Sequence, residues 1–533
     1  TNLVGGNFRL RLTSPCIDAA ADAPALTNDL DGTARPLDGD GDGTNLWDMG
    51  CYESPDAGSL PLTCDFSAPV TVWDPPFEAV FVATVVGNTN GVSYFWDFNN
   101  DETYDLQGPF CRTATNVYTT IGEYSIRLTV TNSSGEMAST VHSNYIRVAP
   151  ATAYASKSGT DTFPYDTWEK AALSIQNAIN ATAGTNATVV VGPGVYSIGI
   201  QLSLVRKVHV VANNGPGETI LHGSGTKHVV YVAHPGAVLD GFTIRNGLSN
   251  IGDVYNPWYG YIAAAGGVWM SDGTVRNCII HGNAAVLDHM AAGGGVYMTG
   301  GLLQRCVVSN NYVNSWNGRE EGGGVHVLGT GIVDSCVIVY NYTANPNGQY
   351  SSDGGGGLWL GQNAMARNCL IAANKTTCAA ANHRGGGVRM QGGSMENCTI
   401  VRNRSATTEG GVYIAAGGVT NCIIADNISV SAPTNVGPMA QAAFSCSPDL
   451  VSGTGNITAD PRFVNSGSGW GTNAVLGSYQ LAEGSPCVNA GTNLPWMIED
   501  ALDLAGYARV IRGRVDMGAY EQHTGRGTVF LAR

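Results

Sequence analysis

Three groups of side chains in this 533-residue sequence have the types and spacing to do chemistry. Asp38, Asp40 and Asp42 in DGDGDGTNLWD, followed by Gly43 and Asp48, alternate as in a calcium loop, where carboxylate oxygens wrap a hard cation and glycine permits the sharp turn. Met49 stands where an EF-hand has its closing Glu, so Asp48 or a backbone oxygen is expected to complete the shell. Tyr255, Trp258, Tyr259 and Tyr261, with Trp316 and Tyr350 further on, offer flat faces suited to sugar rings. Glu321, Asp353, Arg384 and Glu409 precede successive glycine runs. Carboxylates there could hold Ca²⁺ against a uronate while an Arg abstracts its α-proton, although alternating charges on stacked loops are more often solvated ion pairs.

The elements that must carry these groups follow from composition and repeats. The chain has 71 Gly, only 13% charged residues, and 42 acidic against 27 basic side chains, for a net charge of −15. That balance argues against nucleic acid, which needs clustered Lys and Arg. No apolar run of ~18 residues predicts a transmembrane segment, and an acidic Gly-, Asn- and Thr-rich chain fits a secreted protein that uses divalent cations. With no basic, apolar leader, the sequence reads as a processed product or an excerpt.

Six units dominate the centre, from GGVWMSDGTVRNCIIHGN at Gly266 to GGVYIAAGGVTNCIIADN at Gly410. Their cysteines, Cys278, Cys306, Cys336, Cys369, Cys398 and Cys422, recur every 24 to 33 residues. One Cys per unit predicts a column of small buried side chains rather than a disulfide framework or a metal site. Short β runs with Gly at corners predict a right-handed parallel β-helix, whose coils stack at ~4.8 Å so that equivalent residues form ladders. The asparagines closing each unit, Asn283, Asn310, Asn341, Asn374, Asn403 and Asn427, are expected to form an internal amide ladder. Ahead of the coils, Asp166 or Thr167 could cap an amphipathic helix using Ala171, Leu173, Ile175 and Ala178. The variable loops before each glycine run should form one continuous face.

Two further patterns flank the coils. YFWDFNNDETYD (94–105) and VYTTIGEYSIRLTVTN (117–132) alternate as in a β-sandwich and resemble the PKD-type, immunoglobulin-like domain of extracellular proteins. Asp97, Asn99, Asp101 and Asp105 there could gather a cation, or form Asx turns without one. SPCIDA, DLDGTARP and DMGCYE in the first 53 residues return in order as SPCVNAG, DLAGYAR and DMGAYE near the other end. The second set, with GNITADPRF before it, resembles the anchor-associated block that closes β-helices in large secreted bacterial proteins. The coils resemble the β-helix repeats of bacterial surface proteins.

The expected organisation is all-β: residues 1–58 a terminal block of a preceding module, 59–150 a PKD-like sandwich, 151–454 the β-helix with its capping helix, and 455–533 its terminal block. Cys16 with Cys51 and Cys64 with Cys111 are plausible disulfides by proximity. The resemblances imply an extracellular or cell-surface structural and adhesive repeat protein, a stalk or matrix module that assembles head to tail and binds carbohydrate through the aligned loops. The alternative is a secreted, calcium-dependent polysaccharide lyase using Arg384, Glu321 and Asp353.

Overall fold

A computed structural model describes residues 9–10, 14–40, 44–54, 61–183, 186–225, 227–250, 252, 254–256, 260–288, 290–315, 318–345, 354–377, 384–430, 432–437, 441–497, 501–511 and 513–523. The chain divides into two compact units, Thr1–Ala151 and Thr152–Arg533.

In the first unit, two antiparallel sheets face each other. Thr63–Ser67, Phe77–Val86 and Thr113–Tyr118 make one; Val72–Trp73, Met137–Val148, Gly122–Thr131, Ser93–Asp97 and Leu106–Gly108 make the other, in which only the edge pair Val72–Trp73 with Met137–Val148 runs parallel. Strict alternation in FEAVFVAT sends Phe77, Ala79, Phe81 and Ala83 inward. There they meet Trp96, Phe98, Ile126, Leu128 and Ile146. No disulfide joins the two sheets. Cys64 points its thiol at the Leu128 carbonyl, 3.6 Å away, and Cys111 is unpaired beside Gly108. Asp97 spends its oxygens on the backbone N–H groups of Asn99, Asp101 and Glu102, and Asp105 accepts from Phe98. The acidic stretch is therefore an Asx turn closed by its own amides.

In the second unit, every coil contributes short strands to stacked parallel sheets. These contain eleven strands (Thr152–Ala155 to Ala442–Ala443), nine (Gly194–Ile198 to Ile423–Ala425), eight (Leu202–Leu204 to Val412–Ile414) and seven (Leu248–Ser249 to Ile428–Ser429). One coil runs Thr274–Arg276, Ile279–His281, Ala284–Val286, Val296–Met298, after which Leu302–Gln304 pairs in register with Thr274–Arg276. Val, Ile, Leu and Met from each turn fill one continuous core. The helix that plugs its open end is Ile175–Ala181, with Ser174 at its N-cap and Ile175, Ala178 and Ile179 buried. It starts later than the sequence suggests: Ala172 bridges Ala155 and extends the coil, while Asp166 pairs with Lys170 at 3.1 Å and Leu173 stays exposed.

The amide ladder is present with one correction. Asn283, Asn311, Asn341, Asn374, Asn403, Asn427 and Asn435 are its rungs, and from Asn283 to Asn427 each backbone N–H and Nδ2 donates to Oδ1 of the next at 2.9–3.1 Å. Asn310 is exposed at φ +53, a left-handed turn position that Asn tolerates, and its neighbour Asn311 points inward. The ladder explains the glycine runs. A Cβ on Gly295, Gly324, Gly357 or Gly387 would lie 2.7–2.8 Å from a ladder amide nitrogen, so side chains are excluded wherever a rung passes. The cysteines form a parallel column: the N–H groups of Cys306, Cys336 and Cys398 donate to the sulfur of the next coil at 3.3–3.5 Å. All six are buried and unpaired.

Candidate functional site

The strands Leu202–Leu204 to Val412–Ile414 turn their first and third residues inward and their second outward. Stacking makes those second residues a column: Tyr231, Trp269, Tyr297, His326, Trp359, Arg389 and Tyr413. Ring centroids lie 4.4 Å apart for Tyr231–Trp269, 5.0 Å for Tyr297–His326 and 4.2 Å for His326–Trp359, the last two pairs stacked nearly parallel. The guanidiniums of Arg389 and Arg384 both sit over Tyr413, at 5.1 and 4.9 Å. The column was legible as the residue following each GGV or GGL, a register that the sequence reading passes over in favour of the loops.

A second layer covers the middle of this column. Gly260–Ala264, Met290–Ala292 and Arg319–Glu321 pair in parallel outside it and bury Tyr297 with Ile262, Ala264, Met290 and Ala292. His326 is fully buried and its Nε2 meets Glu321 Oε2 at 3.0 Å. Several polar atoms along the column have no hydrogen-bond partner among the described residues: Nε1 of Trp269 and Trp359, Nδ1 of His326, and both ring nitrogens of His228, which packs edge-on against Trp269 at 5.4 Å. Burial pushes the His228 imidazole down to about 4, keeping it neutral at physiological pH.

Three of the four charged loop residues lie along one backbone column, and each has a partner within the protein. Glu321, Gly354 and Arg384 bridge in parallel, and Glu409 accepts from Gly386 one coil on. Glu321 is committed to His326, Arg384 to Tyr413, and Glu409 to the Thr408 hydroxyl. Asp353 lies outside the described residues, as do Trp258, Tyr259, Trp316, Tyr350 and Asp42. The backbones of Tyr255 and Tyr261 pair in register on an antiparallel hairpin, Val254–Asn256 with Gly260–Ala264.

In the N-terminal block, ligand-type oxygens of Asp18, Asp38 and Asp40 lie within 4.8 Å of one another. Asp48 is not among them. Its carboxylate is buried and accepts from the N–H groups of Asp18 and Ser54, because it closes the block's own turn. Asp18, left out of the sequence motif, takes its place, and burial together with the Asp40 and Asp48 charges raises its carboxyl. Cys16 and Cys51 are unpaired, with Cys51 facing solvent.

The two terminal blocks repeat one hydrogen-bond network. Asp48 and Asp516 accept from residues 18 and 489, Asp29 and Asp503 accept from Glu53 N and Glu521 N, and Arg35 and Arg509 pair with Glu53 and Glu521 at 2.8 and 3.3 Å. Met49 N reaches Cys16 O at 2.9 Å, as Met517 N reaches Cys487 O at 3.0 Å. The second block is seated on the outer face of the nine-stranded sheet. Ala519 N donates to Thr399 Oγ1 at 2.9 Å, Gly518 N to Asn421 O at 2.7 Å, and Asn421 Nδ2 to Thr492 O at 2.7 Å. Met517, Cys487, Phe463, Tyr479 and Leu481 pack there on Leu370, Val401 and Ile423. Burial, opposed by Arg509, pushes Glu521 up to about 8; Asp503 and Asp516 are raised for the same reason.

Two features define the architecture: a β-sandwich, and a parallel β-helix with a terminal block seated on one sheet. Residues 65–144 match the PKD domain family, so the sandwich is a PKD domain. No curated protein matches the chain. Among solved structures, the family 28 exopolygalacturonase of Yersinia enterocolitica is 11% identical, covering 74% of this chain and 96% of its own, with a TM-score of 0.20. The catalytic domain of a GH87 α-1,3-glucanase in complex with nigerose is 12% identical, covering 72% and 99%, with a TM-score of 0.21.

Proposed function

We propose that the protein is an extracellular structural and adhesive module, a stiff β-helix joined to a PKD spacer, that binds carbohydrate along its loop face and associates with its own kind. The observation that carries this reading is the duplicated terminal block: one chain holds two copies of a device that closes β-helices, which suits an array of modules better than a lone enzyme. The coils support it, since their polar groups are spent on one another in ladders that stiffen a scaffold. The aromatic column stiffens the same scaffold, since its rings stack on one another and its middle is buried. Calcium at Asp18, Asp38 and Asp40 belongs to the same reading as a stiffener of the N-terminal block.

The lyase alternative finds less support, because the basic and acidic side chains it would use are paired within the protein: Glu321 with His326, Arg384 with Tyr413. One experiment separates the two. The full chain is applied to immobilised neutral and uronate polysaccharides, and the same polysaccharides in solution are followed for ultraviolet absorbance of unsaturated product. Retention without product is expected; steady product formation overturns the non-catalytic reading.

A further inference from the structure

The two terminal blocks share a network but differ in what covers one face. A Cβ on Gly518 would meet Thr399 Oγ1 and Ile423 Cδ1 at 2.8 Å, whereas one on Gly50, its counterpart, would meet nothing within 4 Å. Met517 is fully buried and its counterpart Met49 is 50% exposed; Ala519 is fully buried and its counterpart Cys51 is exposed. Leu504 packs in the docked interface, while Leu30, which makes the same bond to its block (Leu30 N to Cys51 O, as Leu504 N to Ala519 O), is 69% exposed. The face that seats one block on a β-helix is therefore bare on the other.

The receiving surface has a signature. Thr399 pairs in register with Ile423, and Asn421 stands two residues before Ile423. The outward first residues of that sheet run Val195, Ile220, Thr243, Ile279, Val307, Val337, Leu370, Thr399 and Ile423. Only one other threonine occurs in this series. Thr243 pairs in register with Ile279, and Asn277 stands two residues before Ile279. Thr243 Oγ1 donates to Pro216 O at 2.6 Å and can still accept an N–H, as Thr399 does. Asn277 is exposed and Ile279 half-buried, in contrast to the fully covered Asn421 and Ile423, while Thr243 is largely covered within its own β-helix.

We infer that the N-terminal block of one molecule docks on the Thr243–Asn277–Ile279 surface of a second copy, with Gly50 and Cys51 lying where Gly518 and Ala519 lie on Thr399 and Ile423. This rests on the structural-module reading and names its contact. Charge favours this pairing. The next outward positions beside the surface are His222, Arg245 and His281, of which Arg245 carries the fixed positive charge, since burial and Arg245 itself push the His281 imidazole down from its ordinary value; the occupied surface has the apolar Val401 and Ala425 there. Residues 1–54 carry nine carboxylates and three arginines. An acidic block meeting Arg245 gains attraction and orientation. Because block and receiving surface are different patches, the contact is heterologous and propagates head to tail.

Light scattering of the full chain over a concentration series tests this, with one variant damaging each patch: Met49→Asp/Leu30→Asp on the block and Ile279→Lys on the sheet. Wild type should grow beyond dimer with concentration, and added salt should reverse the growth. Each variant alone should remain monomeric, with association weakened at least about tenfold. An equimolar mixture of the two should stop at dimer, since only one competent pair of patches remains. Unchanged melting of each variant excludes misfolding. Mild oxidation with glutathione disulfide should also trap an Ile279→Cys variant as a ladder of dimers and longer oligomers, each joined through Cys51 of the next copy, and Cys51→Ser should abolish them. A wild type that stays monomeric, variants that associate like wild type, or a mixture that fails to pair overturns the docking. The polysaccharide retention assay reads the module reading separately, and a monomer that still binds polysaccharide would sink only the docking.

Discussion

The neighbouring asparagines 310 and 311 give the sharpest test of the ladder, because one lies on the surface and the other inside. Asn311→Ala removes an amide whose Oδ1 accepts Asn283 N at 2.9 Å and Asn283 Nδ2 at 3.0 Å, and whose Nδ2 donates to Ile280 O at 2.9 Å and Asn341 Oδ1 at 3.0 Å. The Asn283 side chain keeps other acceptors, the carbonyls of Ile244 and His281. Its backbone N–H keeps none in the ladder, and a buried donor left unmade costs about 1–3 kcal/mol. With roughly 1 kcal/mol for each of two further bonds lost, Asn311→Ala should cost about 3–5 kcal/mol. Asn310→Ala removes no ladder bond and only places alanine at φ +53, costing about 1 kcal/mol. Urea unfolding of the β-helix, followed by circular dichroism with the slope held as a check on cooperativity, reads both. Equal losses, or a larger loss for Asn310→Ala, would refute the ladder assignment.

The seat of the C-terminal block should depend on pH. Glu521 ionises at about 8 in the folded chain against 4.5 for the free side chain, so the folded state holds its proton more tightly. That stabilising contribution is complete below pH 4.5 and fades as pH rises through about 8; amide exchange at Met517 and Ala519 should accelerate across that window, and a flat profile would show the carboxylate already charged. The column cysteines should resist maleimide under native conditions, because burial raises the thiols of Cys306, Cys336 and Cys422 and hides them, while Cys51 should react at once; mass spectrometry of tryptic peptides decides. Calorimetry should detect one calcium per N-terminal block, lost in Asp18→Asn/Asp40→Asn and retained in Asp48→Asn if that variant folds; no heat in wild type would remove calcium from the proposal.

The repeats made the β-helix readable because stacking converts sequence period directly into ladders. The error at Asn310 arose where two asparagines adjoin and one residue of phase separates an inward amide from a left-handed turn. Glycine could have arbitrated, since each third glycine of a run must lie against a rung, and counting from Gly295 selects Asn311. The helix was misplaced because a cap signature at Asp166 says nothing of the bridge between Ala155 and Ala172 that keeps the chain in the first coil. Asp48 was assigned to calcium by local spacing, yet its oxygens close a turn to residue 18, a contact 30 residues away that no local motif encodes. The same long-range closure brings Asp18 to Asp38 and Asp40.

Of the loop residues with the most suggestive chemistry, Glu321 finds its partner five residues on in its own coil, and Arg384 finds its partner in the next. Glu321 is judged by what the outward column presents beside it, and that is His326 of the strand that follows. Arg384 likewise finds Tyr413, the outward residue of the following coil. A column of charges read along the sequence suggests convergence on a substrate; read across coils, it resolves into separate pairs on an aromatic spine. The duplicated terminal block shows the converse. There the sequence repeat preserved every internal carboxylate and arginine of the network, and only the environment of one face differs. Two copies of one network, one face covered by Thr399, Asn421 and Ile423 and the other bare, make that face the part of the molecule whose function is least accounted for by the chain's own packing.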